Sequence, residues 1–230
     1  MIDRYSRKEM VKVWEQQNKY QTWLEVELAV CKALNTVGII PNDDYENIIN
    51  KTNFDTDTID EIEKNTKHDV IAFLTNVAEY VGESAKWIHY GMTSSDMLDT
   101  ATALQCVQAG TMILESIEKL NSQLKIKALK YKNTLCIGRS HGIHAEPTSF
   151  GLKFVLWYDE MSRNIVRLKQ AIEMIAVGKI SGAVGNFAHL SPEIEELTCR
   201  YLNLKPAKIS TQIIQRDNHA HFLTDRKSVV

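Results

Sequence analysis

The chain has 230 residues, 44% of them hydrophobic and 24% charged, with a net charge of -2. That is enough apolar material for a real core, and the near-neutral balance gives no general pull toward nucleic acid or an anionic membrane, so any anion binding must be local. Cys31, Cys106, Cys136 and Cys199 form no Cys-x-x-Cys pair. No N-terminal apolar segment targets the chain for export, and no apolar run nears the roughly 20 residues of a membrane span, which reads as a cytoplasmic protein with reduced thiols.

In chain order, Ser6 and Glu9 match a capping box, with Tyr5 and Met10 placed as a hydrophobic staple. The pattern predicts a helix immediately after Tyr5, which fixes Arg4 and Tyr5 at its N-terminus. Helical spacing of Trp14, Trp23, Leu24, Val26, Leu28, Val30 and Leu34 runs to a stop at Gly38, and Ile40-Pro41 opens a further short segment. Lys67-His68-Asp69 precedes an apolar helix of Val70, Ile71, Phe73, Leu74 and Val77. Read from the residues alone, Asp69 is a helix cap and His68 its exposed neighbour.

His89-Tyr90-Gly91-Met92-Thr93-Ser94-Ser95-Asp96 then opens a long helix with consecutive hydroxyls. A cap uses one hydroxyl and leaves the others spare. Backbone N–H groups and hydroxyls at a helix N-terminus suit a carboxylate or phosphate. From Ser95 to about Asn133 there is no proline, and Met97, Ala101, Leu104, Val107, Thr111, Leu114, Ile117, Leu120, Leu124 and Ala128 recur at three- and four-residue steps. Such a helix runs on the order of 55 Å. It is expected to need cover from other helices, contributed by other subunits.

Reactive groups are densest between Gly138 and Thr148, Gly-Arg-Ser-His-Gly-Ile-His-Ala-Glu-Pro-Thr. Arg139, His141, His144 and Glu146 sit among two glycines and Pro147, and a histidine there can trade a proton near neutral pH. A second helix follows, striped by Phe150, Phe154, Trp157, Met161, Ile165, Leu168, Ile172 and Ile175. Residues 178–185 read as a turn-rich connection, Ser191-Pro192-Glu193 as a helix start, and residues 210–217 as a polar turn leading into a helix. No strand-like alternation of useful length is visible, and no histidine, cysteine or carboxylate cluster has zinc spacing. The fold expected is all-α, with an N-terminal helical domain over residues 1–92 and a long-helix bundle over residues 93–230.

The Gly138–Thr148 stretch resembles the second signature region of the adenylosuccinate lyases, a branch of the fumarase/aspartase superfamily, with Ser140 where threonine is more usual. Met1-Ile2-Asp3-Arg4-Tyr5-Ser6-Arg7 is similar to the family's N-terminus, Lys67-His68-Asp69 to its substrate-binding segment, and Thr93-Ser94 to its carboxylate contact. Gln212 falls at a substrate contact in the same way. The resemblance implies an elongated bundle of the fumarase/aspartase type, a homotetramer with active sites shared between subunits, and no cofactor or metal. It implies β-elimination of fumarate from adenylosuccinate, giving AMP, and from the succinylcarboxamide ribotide of purine synthesis. His141 is then the general acid and His68 its assistant, Arg4 and Tyr5 hold the nucleotide, and Lys67, Asp69, Thr93, Ser94 and Gln212 bind the rest of the substrate.

The family's third signature, a serine-rich loop with Met-Pro and Lys-x-Asn whose serine is taken as the base, has no match here. The ending, residues 225–230, no longer resembles the family. The chain is therefore expected to be an N-terminal portion with little activity alone. Two other readings stand beside the first: a sister enzyme such as argininosuccinate lyase or a cycloisomerase, or a catalytically incompetent helical scaffold.

Overall fold

A computed structural model describes residues 3–227 of the chain. The first two residues of the opening motif and the last three of the divergent ending lie outside the described residues. The chain divides into two compact units, each discontinuous in sequence: Met1–Ala109 with Ile175–Arg216, and Gly110–Met174 with Asp217–Val230.

The first unit begins with a 3-10 turn, Asp3–Tyr5, followed by α1 (Lys8–Trp14), α2 (Gln16–Thr36), α3 (Asn42–Lys51), α4 (Thr56–Thr66) and α5 (Asp69–Val81). The helix expected right after Tyr5 starts later. Arg7 takes the cap position with extended backbone, so Glu9 falls at the second helical residue rather than the third and the Ser6–Glu9 box cannot close. The run from Trp14 to Leu34 is also interrupted by one extended residue, Glu15. The break is tolerated because the carbonyl it frees at Val13 accepts hydrogen bonds from Asn18 Nδ2 at 2.8 Å and Gln105 Nε2 at 2.9 Å.

Helix α2 is buried on more than one face and packs against α1, α3, α4 and α8 (Pro192–Tyr201). At its start Tyr20 and Trp23 meet Phe54 and Phe73 in mutually angled and stacked rings, with centroids 5.2 to 6.2 Å apart. These rings anchor a core that also takes in Leu34, Ile48, Ile59, Val77, Met97, Ile180 and Ile194. Two short parallel strands, β3 (Val177–Gly178) and β4 (Lys205–Pro206), tie the chain's return to this unit.

Helix α6 (Ser94–Lys130) is 37 residues long, close to the expected span, and enters the second unit at Gly110. There it is followed by β1 (Leu135–Ser140), β2 (Ile143–Ser149) and α7 (Phe150–Ile175), with α9 (Asp217–Lys227) completing the unit. The β1–β2 hairpin is the one clear departure from the expected all-helical reading. β1 does not alternate in polarity; β2 does, with Ile143, Ala145 and Pro147 set against His144, Glu146 and Thr148, but the run is short, contains a proline and leaves both strands largely exposed. The hairpin is closed at its base. Ser149 Oγ accepts from Gly151 N–H at 3.1 Å as the cap of α7, Phe150 N–H donates to Thr134 O at 2.8 Å, and Tyr131, Phe150 and Phe154 stack beside it.

Along the predicted stripes of this unit Ile117, Ala128 and Leu168 are buried, yet Leu120 and Trp157 are about half exposed, at 49% and 48%. Leu129, Leu152, Leu156 and Val166 are exposed as well. No helix among the described residues is long and apolar enough to cross a membrane.

The aromatic anchor yields a direct test. Phe73 is fully buried against three rings, so Phe73→Ala should destabilise the first unit by about 3–5 kcal/mol. Urea unfolding followed by tryptophan fluorescence reports on it, since Trp23 lies 5.4 Å from the ring that is removed.

Candidate active site

Helix α4 ends on Lys67, which adopts a left-handed conformation (φ 54°) and turns the chain sharply into α5. The cap of α5 is His68 rather than Asp69. His68 is extended and its ring Nδ1 accepts the N–H of Ile71 at 3.4 Å, while Asp69, at the first helical position, accepts from its own neighbour Val70 N–H at 2.8 Å. The side chain one residue earlier wins because only there is the backbone extended enough to reach the third helical N–H. With Nδ1 occupied as an acceptor, the neutral ring carries its proton on Nε2, the nitrogen left to meet a ligand. Asp69 lies 3.8 Å from Lys19 Nζ, whose ammonium also sits over the Trp23 ring.

The turn before α6 contains two residues in the left-handed region, His89 (φ 62°) and Gly91 (φ 71°). His89 is held there by buried Glu27, which accepts its backbone N–H at 2.8 Å and lies 2.6 Å from its ring Nδ1. The helix then starts with Thr93 at the cap and Ser94 at the first helical position. The capping bond comes from the far side: the buried carboxylate of Asp96 accepts Thr93 N–H at 2.9 Å. The hydroxyls of Thr93, Ser94 and Ser95 make no hydrogen bond among the described residues, while Asp96 N–H donates to Thr93 O at 2.9 Å. A helix opening with three unused hydroxyls and the N–H groups of Ser94 and Ser95 is suited to holding a carboxylate.

Arg4 and Tyr5 form the 3-10 turn, the guanidinium 4.7 Å from the centre of the tyrosine ring, and both side chains are exposed. Gln212 is also exposed, in a bend anchored just beyond it, where Asp99 accepts Ile214 N–H at 2.8 Å and pairs with Arg216 at 2.9 Å. Arg4, Tyr5, Lys67, His68, Asp69, Thr93, Ser94 and Gln212 all belong to the first unit, and His141 belongs to the second.

His141 occupies the tip of the hairpin. Ser140 pairs with Ile143, leaving His141 and Gly142 as a two-residue turn with φ of 52° and 78°, the pattern of a type I′ hairpin. Glycine is the usual second residue of such a turn, and histidine is among the few side chains that tolerate the first position. The His141 ring is exposed, and so are Arg139, His144 and Glu146. The expected loop is therefore a rigid ribbon that carries the imidazole at its end.

Charged groups buried in the first unit escaped the sequence reading. Glu27, Asp96 and Lys179 are almost completely inaccessible, and Asp96 pairs with Lys179. The available signal was a carboxylate inside the apolar run Val26-Glu27-Leu28 and a lysine between Gly178 and Ile180. Burial alone would lower the His89 pKa, but the hydrogen bond and charge of Glu27, with Asp96 adding to them, leave it raised. Two of the buried thiols are held in their unreactive form: burial pushes Cys106 up to about 11 and Cys199 up to about 12. No group of three or more histidine, cysteine or carboxylate side chains that could hold a metal occurs among the described residues.

A family model described as Lyase matches residues 3–229, and the chain belongs to that family, the fumarase/aspartase lyases. Within it, the chain is 49% identical to adenylosuccinate lyase of Bacillus subtilis (strain 168), over 223 residues that make up 97% of this chain and 52% of that protein. The adenylosuccinate lyase of Thermotoga maritima is 49% identical over 224 residues, again 97% of this chain and 52% of the other. The chain thus spans about half the length of the curated relatives it matches.

Among solved structures, fumarate lyase from Mesorhizobium sp. BNC1 is 27% identical with a TM-score of 0.89, covering 98% of this chain and 55% of that one. The β-carboxy-cis,cis-muconate cycloisomerase from Acinetobacter calcoaceticus sp. ADP1 shares the fold, with a TM-score of 0.85 at 22% identity, over 96% of this chain and 54% of its own.

The Glu27–His89 pair makes the first unit sensitive to pH. A raised His89 pKa contributes stability that is fully present below the unfolded value of about 6.5 and is lost as pH rises through the folded one. Glu27→Gln should therefore lower Tm more at about pH 6 than at about pH 9. Thermal melts of both proteins across that range measure it, and an equal loss at both ends would assign the pair no ionic role.

Proposed function

We propose that the protein of which this chain is part is an adenylosuccinate lyase, cleaving fumarate from adenylosuccinate and from the succinylcarboxamide ribotide of purine synthesis. The observation that carries this reading is the opening of α6, where the hydroxyls of Thr93 and Ser94 stay free while the Asp96 carboxylate takes the Thr93 N–H. Similarity to the relatives named above, 49% over nearly the whole chain, supports the same substrate class. The protein is then cytoplasmic and a homotetramer whose sites draw on several subunits. Residues 1–92 supply its N-terminal helical domain and residues 93–230 the first part of its long-helix bundle.

In this reading the substrate's succinyl carboxylates are held by the hydroxyls and first-turn N–H groups of Thr93 and Ser94, with Gln212 as a further contact. A base removes a proton from the carbon beta to the C–N bond. Negative charge then spreads into the adjacent carboxylate, where donors placed at Thr93 and Ser94 stabilise it most as it develops. Electrons return to form the fumarate double bond, the C–N bond breaks, and His141 delivers a proton to the departing nitrogen. His68 offers Nε2–H to the substrate while its Nδ1 stays on Ile71 N–H, so the ring is oriented before binding. Lys67 and Asp69 flank it. Arg4 suits the nucleotide phosphate through its planar, forked donors, with Tyr5 beside it.

The turn geometry dictates how His141 should be tested. An alanine there would meet the left-handed backbone at a cost of roughly 1–2 kcal/mol, mixing turn strain with lost chemistry. Asparagine accepts that conformation, so in the full-length protein His141→Asn should keep the hairpin and lower turnover by about 10²-fold or more. Arg4→Ala should instead raise KM more than it lowers kcat, because a phosphate contact is shared by ground and transition states. Steady-state absorbance assays on both purine substrates separate the two effects, and undiminished turnover by His141→Asn would remove the imidazole from the mechanism.

Composite sites have their own test. His68→Ala and His141→Asn chains, each impaired alone, should regain part of the activity when unfolded and refolded together, since some sites then receive both histidines from different subunits. Mixed assembly verified by native mass spectrometry without any recovered turnover would favour sites built within one subunit.

A further inference from the structure

Lys179 is the largest charged side chain to vanish from solvent among the described residues, with an accessibility of 0%, and no step of the reaction above uses it. Its surroundings explain its burial in detail. The ammonium pairs with Asp96 Oδ1 and donates to Gly182 O at 3.1 Å, and Gly182 N–H returns to both Asp96 oxygens at 3.2 Å. One turn further along α6, Thr100 Oγ1 accepts Lys179 N–H and donates to Lys179 O, both at 3.1 Å. The Lys179 backbone and side chain are thus fastened to two positions four apart on one face of α6.

Asp96 is the same carboxylate that caps Thr93. A single buried group therefore fixes both the start of α6 and residues 179–182. The loop that follows is itself locked. Phe187 N–H donates to Ser181 O at 3.1 Å, and the hydroxyls of Ser181 and Ser210 lie 2.8 Å apart. Gly185, at φ 78°, runs so close to the Ser210 carbonyl that a β-carbon there would come within 2.1 Å of its oxygen. Ser210 stands two residues before Gln212. A continuous chain of hydrogen bonds and close contacts therefore leads from Thr93, through Asp96, Lys179 and the 181–187 loop, to the segment bearing Gln212.

We propose that Asp96 and Lys179 are positioning residues that hold the Thr93–Ser94 helix opening and the Gln212 segment in register through the 181–187 loop, so that both grip one substrate. This rests on the lyase reading above for what the register serves. A pair kept only for stability could be replaced by neutral groups of similar size without loss, because a buried ion pair often breaks even against an apolar substitute. A pair that sets register cannot.

The variant that separates the two is Asp96→Asn/Lys179→Met in the full-length protein. The introduced carboxamide can still accept Thr93 N–H, and Asp96 is not left as an unpaired buried charge, as it would be in Lys179→Met alone; Glu195, also buried, keeps its hydrogen bond from Ile180 N–H. With Tm near that of the unaltered protein, kcat/KM for adenylosuccinate should fall by about 10²-fold, the scale of a misplaced contact group. Amide hydrogen exchange should rise together in peptides covering residues 93–97, 181–187 and 208–213, with α2 unchanged.

Recovery of both stability and turnover in the double variant would overturn the proposal, as would exchange that rises only around residues 178–182. If the unaltered protein does not cleave adenylosuccinate, the functional reading fails on its own, and the exchange pattern still decides whether the two segments are linked.

Discussion

The ion pair between Asp96 and Lys179 is the interaction on which the first unit's functional surface depends. Two opposite charges taken fully out of water are costly unless they pair with one another and find further hydrogen-bond partners. Here those partners are backbone groups. Thr93 N–H and Gly182 N–H donate to the carboxylate and Gly182 O accepts from the ammonium, so the neutralisation of a buried charge doubles as a specification of where two chain segments lie. The aromatic cluster of Tyr20, Trp23, Phe54 and Phe73 supplies cohesion without direction. The ion pair supplies direction.

Around this centre, left-handed backbone at side-chain-bearing residues falls beside the proposed chemistry. Among the described residues Lys67, His89, His141 and Phe187 have positive φ next to His68, next to Thr93, at the hairpin tip and at the end of the 181–187 loop. Each costs local strain and persists because the surroundings over-determine it. For His89 the surroundings are Glu27; for His141 they are the strand pairing of Ser140 with Ile143. Asn203, the remaining case, ends α8 and has no such neighbour.

Much of this was legible in the sequence where periodicity speaks. The 37-residue α6 and the start of α8 at Pro192 follow directly from spacing and capping rules, and the family resemblance is confirmed by the match over residues 3–229. The hairpin was passed over because Gly138, Gly142 and Pro147 read as loop signals, although Ile143, Ala145 and Pro147 alternate with His144, Glu146 and Thr148; with both strands largely exposed, little burial marks that alternation as a strand. The cap at His68 was missed because histidine is an uncommon acceptor at that position, and Asp69 is the residue a capping rule selects. The buried network was missed for a different reason. Lys179 and Asp96 meet across 83 positions of sequence, and no local pattern encodes a partner at that distance.

The two-residue turn at His141 constrains substitution in a way that reaches beyond its folding role. The proposed mechanism asks one side chain for two unrelated properties: comfort in a left-handed backbone and a proton exchangeable near neutral pH. Glycine and asparagine meet the first condition and not the second; aspartate meets the first and reaches the second only where neighbours raise its pKa; lysine, cysteine and glutamate could be tuned toward the second and resist the first. Histidine alone satisfies both without help from its neighbours. If His141 is the acid, replacing it by another titratable side chain means rebuilding either the turn that holds it or the surroundings that tune it.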